Sequence, residues 1–380
     1  MKFNLAIVGC GKMGLAIGHF SLLSGFNNLS LYDINEQFAI TLKIKLEQQY
    51  SNLHPNIKIG LSNSKYDIVI LALSGPDTQK FIQDNFNSII FKKNKIFISL
   101  GRPNYEDLNC YFEFNEWLIS HSLTLLFGLG LEPGLSEIIA TYFINKHQDL
   151  AINAIKIFCG GVPQNAKPPL YYDLLFNTEI PSTMRMALCK KNNQIIKLNR
   201  FESCNNIFIT ESGLFEAYDD GLSPFFLNNS FCESIPNISQ QTIRWPGFVS
   251  TVNTLRQCGL FDTKILPGSK LSANELTHIA LKQCGALTNG NNDMTILHIE
   301  AHLYNKQINK TTFIAKYDNQ SQLTGMAKIT TFPIIFAIKN ILLHNRNYRV
   351  GSILSFESFT DIEIENLKQE LIKYNICSIV

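Results

Sequence analysis

Phe3-Asn4-Leu5-Ala6-Ile7-Val8-Gly9-Cys10-Gly11-Lys12-Met13-Gly14 reads as an apolar strand running into a G-x-G-x-x-G turn. A second apolar run, 29–32, closes at Asp33, nineteen residues past Gly14. Gly9 permits the tight turn, Gly11 lets a pyrophosphate approach the backbone, and Gly14 lets the next helix sit close on the strand. The turn delivers Lys12 and Met13 to the helix N-terminus, where amide groups hold phosphates. A carboxylate at Asp33 accepts hydrogen bonds from both ribose hydroxyls and repels a 2′-phosphate, so NAD is expected over NADP. Met13, Ile17, Phe20 and Leu23 recur at helical spacing and stop at Gly25, which completes the strand, turn, helix, strand context that the motif requires.

Outward from this grip the pattern alternates. A helix is expected over 35–49, a short strand at 57–59 and a wholly apolar strand over 68–73, which implies a parallel sheet. Leu73 and Ser74-Gly75-Pro76 then lie at the carboxyl edge, where the nicotinamide half of a dinucleotide runs, and Pro76 is placed to start a helix over 77–86. A strand over 95–100 leads to Gly101 on the same edge. A helix over 105–120 and a strand over 123–127 follow, ending in Gly128-Leu129-Gly130-Leu131-Glu132-Pro133-Gly134, which reads as a boundary. Beyond a helix over 134–146 and a strand over 154–158 comes Cys159-Gly160-Gly161-Val162-Pro163, after which the rhythm is lost. Residues 164–241 mix Asn, Pro, Gly and Ser with aromatics, which suggests long active-site or dimer loops. Two alternating runs, 294–303 and 311–317, form a half-exposed antiparallel hairpin. A helix over 325–343, a loop with Gly351 and a helix over 361–374 end the pattern.

With 380 residues and 45% hydrophobic content, two domains are expected. Thirty-three basic against thirty-one acidic residues leave a charge of +2, which argues against nucleic acid as a partner. No apolar run reaches the ~18–20 residues of a membrane helix, and strand one begins without a signal segment, so the cytoplasm is the expected compartment. Nine cysteines without a C-x-x-C pair read as small buried hydrophobes in a reducing compartment, not as a disulfide frame or a zinc site.

At these residues the chain resembles the saccharopine dehydrogenase family, which contains saccharopine reductases and lysine 6-dehydrogenases. The resemblance rests on the N-terminal fingerprint, the glycine-rich junction 128–134 and the Cys159-Gly160-Gly161-Val162-Pro163 turn. Three further segments agree: Gly213-Leu214-Phe215-Glu216-Ala217-Tyr218, Thr242-Ile243-Arg244-Trp245-Pro246-Gly247-Phe248 and Leu323-Thr324-Gly325-Met326-Ala327. It implies an α/β fold: a Rossmann doubly wound parallel sheet (1–132) completed by C-terminal helices (325–380), with an inserted α/β mixed-sheet domain (133–324) that binds substrate and dimerises. It also implies oxidation of a C–N bond in lysine or a lysine derivative. Asp219-Asp220-Gly221 stands where saccharopine reductases have an Asn-Arg-Asp run, which is more like lysine 6-dehydrogenase.

Amine oxidation needs a neutral nitrogen, hence a base near the ring. Glu132, in the junction turn, is the first candidate; its alternative is to cap the helix after Pro133. Asp219 and Asp220 are next, as carboxylates for a substrate ammonium group, with ordinary turn formation as the alternative. Arg244 suits a substrate carboxylate, because guanidinium pairs with it bidentately, unless a neighbouring acid claims it. Gly160 and Gly161 allow a ligand near the backbone, Tyr171 or Tyr172 shape the pocket or simply pack in the core, and Arg102 meets the cofactor, a second carboxylate or its own helix. His298-Ile299-Glu300-Ala301-His302 mimics a zinc pair, but its alternation makes it an exposed strand face, so no metal is expected. Cys159 needs no role beyond packing. The expected activity is therefore NAD-dependent oxidation of lysine or saccharopine by a homodimer. A carboxyspermidine-type dehydrogenase and a non-catalytic NAD-binding regulator are the alternatives.

Overall fold

The computed structural model describes residues 3–61, 66–85, 96–103, 108–147, 151–175, 179–290, 292–342 and 349–380. Phe86, Lys95, Tyr105 and Leu343, placed above at element ends, lie outside them. By contact density the chain divides into Met1–Tyr142 with Ala327–Tyr374, and Phe143–Met326 with Asn375–Val380.

The first unit opens with β1 (Asn4–Val8), α1 (Lys12–Leu23), β2 (Asn28–Tyr32), α2 (Glu36–Gln49), β3 (Asn56–Ile59), β4 (Ile68–Leu71), α3 (Gly75–Asn85), β5 (Ile96–Ser99), α4 (Leu108–Ser120), β6 (Thr124–Phe127) and α5 (Leu135–Lys146). The second unit carries β7 (Ile152–Pro163), β8 (Met186–Lys191), β9 (Gln194–Asn199), β10 (Cys204–Ile209), β11 (Gly213–Asp219), β12 (Asn237–Arg244), α6 (Phe248–Gln257), α7 (Ala273–Gln283), β13 (Asp293–Leu303) and β14 (Ile308–Lys316). The chain then runs through α8 (Gly325–Ala337), β15 (Gly351–Leu354), α9 (Asp361–Lys373) and β16 (Ser378–Ile379).

The first sheet has the order β15-β6-β5-β4-β1-β2-β3, with every pairing parallel. Strand order reverses between β1 and β4, which makes the carboxyl ends of those strands the switch point where dinucleotides bind in such sheets. Its central strands β1, β4 and β5 are apolar because both faces are covered: Leu5, Ala6, Ile7, Ile70, Leu71, Phe97 and Ile98 are buried. Local chemistry sets the helix starts, as where the Asn35 side chain accepts from the Gln37 amide to begin α2. Gly351 opens β15, a strand instead of the expected loop. Four residues are too few for periodicity to show.

The second sheet is mixed, β10-β11-β12-β7-β13-β14-β16, with β8 pairing β12 and β9. It corrects three expectations. Where loops were expected over 164–241, the described residues hold β8 to β11 and the start of β12; β8 to β10 show no alternation of buried and exposed positions that a period of two could reveal. Cys159-Gly160-Gly161-Val162-Pro163 is not a turn but the end of β7, paired with β12 and β13 on its two sides. The expected hairpin is present, but β13 is likewise central and nearly all buried, so its exposed positions lie mainly on β14.

Candidate active site

In the first unit, Gly9 has φ +94°, and a Cβ there would lie 2.7 Å from the Ala72 carbonyl oxygen. A Cβ at Gly14 would lie 2.1 Å from the Gly9 oxygen, so turn and helix close on each other only as glycines. A Cβ at Gly11 meets nothing within 4 Å, and no side chain caps α1. This is an open helix N-terminus beginning at Lys12 and Met13, of the kind that receives phosphate. Asp33 is aimed by the backbone: Oδ2 accepts from the Cys10 amide at 2.8 Å and Oδ1 from the Asn35 amide at 3.0 Å. One lone pair on each oxygen stays available for a diol. Burial, with the Asp33 charge beside it, pushes the Cys10 thiol up to about 12, so it is neutral.

At the neighbouring strand ends two loops cross at glycines. A Cβ on Gly101 would lie 2.5 Å from the Gly75 nitrogen, and one on Gly75 would strike the Arg102 oxygen. Ser74, next to Leu73, accepts from the Asp77 amide at 3.2 Å and starts α3, while the Gly101 amide donates to Ser99 at 3.0 Å. Arg102 and Glu132, suggested separately by the sequence, come together: Nη1 and Oε1 are 3.9 Å apart.

The second unit builds a site around Arg244, at the end of β12. Its guanidinium is buried, 5.5 Å from the Tyr172 ring centroid and 5.7 Å from that of Phe248. Nη1 donates to the Ile243 carbonyl at 2.8 Å and to Gly161 at 3.5 Å, while Nε is buried with no hydrogen-bond partner. Among the described residues no carboxylate lies within ion-pair distance of it. Burial opposes its charge, but Tyr218, Tyr172 and Asp220 outweigh that and raise its pKa. Gly160 makes the room, since a Cβ would lie 2.4 Å from the Ile243 oxygen and 2.9 Å from Arg244 Nη1. Protein atoms also fill the space beside Gly161: Met326 Cε, Leu175 Cδ1 and Thr295 Oγ1 lie within 3.3 Å of a Cβ placed there. Tyr171, at φ +50°, lays its ring against Gly247.

Asp219 and Asp220 do not act as a pair. Asp219 accepts from Ser203 Oγ at 2.6 Å and Gln241 Nε2 at 3.0 Å. Asp220 takes Arg185 at 2.6 Å, Arg200 at 2.9 Å and the Thr242 hydroxyl at 2.6 Å. Burial would raise the Asp220 carboxyl, but Arg200 and Arg185 more than offset it and hold it at about 2. This carboxylate is occupied by two guanidinium groups, not presented to an ammonium ligand.

Two buried acids escaped the sequence reading. Glu216, registered opposite Arg244, gives its oxygens to the Gly247 and Val249 amides at the start of α6. Asp293 accepts from the Gly325 amide at 2.6 Å and the Met326 amide at 2.8 Å, and burial raises its pKa. The His298 motif lies on β13 as expected of a strand, yet His298 is buried, not exposed. Its Nε2 is 3.2 Å from Glu300, whose other oxygen is 2.7 Å from His302.

Residues 130–376 match the model of the saccharopine dehydrogenase C-terminal domain. The chain belongs to the saccharopine dehydrogenase family. A 166-residue segment, 41% of this chain, is 25% identical to the mitochondrial alpha-aminoadipic semialdehyde synthase of Rattus norvegicus and spans only 18% of that protein. The fold is similar to saccharopine dehydrogenase (L-Glu forming) from Saccharomyces cerevisiae, with TM-score 0.72 and 14% identity over 100% of this chain and 99% of that one. It is also similar to a homospermidine synthase from Legionella pneumophila in complex with NAD, with TM-score 0.62 and 12% identity over 97% and 89% of the two chains. This is a saccharopine dehydrogenase-like oxidoreductase fold: a doubly wound parallel sheet with an added mixed sheet. No described helix is long and apolar enough to cross a membrane.

Proposed function

We propose that the chain is an NAD-dependent dehydrogenase that oxidises the C–N bond of lysine or of saccharopine, working as a cytoplasmic homodimer. Arg244 carries the reading: a buried cation whose Nε edge has no partner calls for an anion from outside the chain, and an amino-acid carboxylate matches that edge bidentately. The first-unit residues fit the cofactor. Gly11 and the uncapped start of α1 suit a diphosphate, and the Asp33 carboxylate, fixed by two amides, suits an unphosphorylated ribose. NAD, when bound, supplies the hydride acceptor.

Glu132 is the base in this reading. It takes the proton that leaves the substrate nitrogen neutral, and later one from the water that adds to the imine, with Arg102 as its positive neighbour. Arg244 and Gly160 orient the substrate carboxylate. Asp219 and Asp220 serve the frame around it. A carboxylated polyamine is the second substrate class, since Arg244 suits its carboxylate equally.

Purified protein is mixed with NAD and, in turn, lysine, saccharopine and a carboxylated polyamine, and NADH absorbance is followed. Turnover with one of the first two is expected. No NADH with any of the three, alongside an NAD-induced rise in melting temperature, would establish a non-catalytic regulator instead.

A further inference from the structure

β12 carries three polar side chains down one face. A strand turns alternate residues to the same side, so Gln240, Thr242 and Arg244 share it, and register places Tyr218 of β11 directly across from Thr242. All four are buried, Gln240 to 1% exposure and Tyr218 to 0%. Thr242 is satisfied, because its hydroxyl donates to Asp220. The other three are not: among the described residues, the Tyr218 hydroxyl, both ends of the Gln240 amide and Arg244 Nε are buried without a hydrogen-bond partner. Burying a polar group unpaired costs stability, and an apolar group of the same shape would remove that cost. Three such groups on one face mark a place that something from outside the chain completes.

We propose that Tyr218 and Gln240 form a second subsite, which takes a carboxylate at the far end of a molecule whose first carboxylate lies on Arg244. This rests on the role given to Arg244 above. Two strand residues separate Arg244 from the Tyr218–Thr242 pair, about 7 Å, which is the span of an extended six-carbon diacid. The phenol offers one donor and the amide nitrogen two. Burial holds the phenol protonated against the pull of Arg244 and Arg200, so it can donate. An ammonium group would find no acceptor with charge to spare. Asp220 is taken by Arg185, Arg200 and Thr242, and Glu216 by the amides that start α6. Three guanidinium groups thus stand against two occupied carboxylates, and the excess charge is positive. Between the two substrates proposed above, this pocket favours the one that carries further carboxylates over lysine, whose far end is a cation.

Calorimetric titration of the full chain with adipate and with hexanoate, equal in length and different only in the second carboxylate, tests it without turnover. Wild type is expected to bind adipate at least about tenfold tighter. Tyr218→Phe and Gln240→Leu, matched in shape, should each cut that preference by at least about threefold while hexanoate affinity is kept. Each variant should also melt at or above the wild-type temperature, because an unpaired polar group has left the core; a purely structural pair would melt lower. Arg244→Ala should weaken both acids. Equal binding of the two acids by wild type would sink the second subsite and leave the Arg244 reading standing. Affinities unmoved by Arg244→Ala would bring down that reading and this one together. A preference that survives both Tyr218→Phe and Gln240→Leu would mean that the two side chains hold an internal water only, and it too overturns the proposal.

Discussion

Arg244 keeps its charge in an aromatic cage while Glu216, its direct cross-strand neighbour, spends both oxygens on the start of α6. Removing the guanidinium should therefore cost substrate binding, not fold. Each charge-assisted hydrogen bond contributes about 1.5–3 kcal/mol, so Arg244→Ala is expected to raise the amino-acid KM by about 10- to 150-fold for each bond lost. NAD affinity, measured by calorimetry, should be unchanged; equal loss of both would mean collapse of the unit. Asp33→Ala removes the group set to accept from the ribose diol and to repel a 2′-phosphate, and the ratio of NADP to NAD affinity should rise by at least about tenfold. An unaltered ratio in titrations of both cofactors would remove the cofactor assignment.

Among the elements, α6 depends on a strand for its start. Glu216→Ala would leave the Gly247 and Val249 amides uncapped, an expected cost of about 1–2 kcal/mol in denaturant unfolding. Phe248 begins that helix, so the wall beside Arg244 should loosen and substrate KM should rise with kcat less affected. Equal stability in variant and wild type would show that the cap is dispensable. Asp220 governs the acid behaviour of the same sheet. Its folded pKa of about 2 lies below the ordinary value of 3.8. Such a group stabilises the fold above its unfolded pKa, and that contribution is lost as pH falls through the window from about 4 to about 2. Acid titration followed by near-ultraviolet circular dichroism should show a transition in this window. Asp220→Asn, which no longer titrates, should flatten the pH slope there, and an unchanged slope would contradict the assignment.

At the scale of the molecule, the proposed function assigns the cofactor to the first unit and the substrate carboxylate to the second. NAD at a hundred times its Kd should stabilise the first unit by about 2.7 kcal/mol. Calorimetry of wild type and of Arg244→Ala should show the same NAD-dependent rise in melting temperature, because Arg244 belongs to the second unit. Amino-acid substrate should raise the melting temperature of wild type alone. A variant that responds to neither ligand would point to general misfolding.

Much of the first unit was legible because its signals are local. Gly9, Gly11, Gly14 and Asp33 lie within one βαβ unit, and uninterrupted apolar strands announce a sheet covered on both faces. The second unit was largely illegible, because its strands β8 to β10 carry Asn, Lys and exposed apolar residues without a clean period, and their pairing joins residues far apart in sequence. From the sequence alone came the nucleotide-binding turn, its acidic terminus and the singling out of Arg244. Tertiary structure alone decided that Asp220 belongs to Arg185 and Arg200, that Gly160 makes room for Arg244, and that Glu216 caps a helix instead of neutralising the cation beside it. Which charges find partners depends on strand register and burial, and a chain sets these only once it has folded.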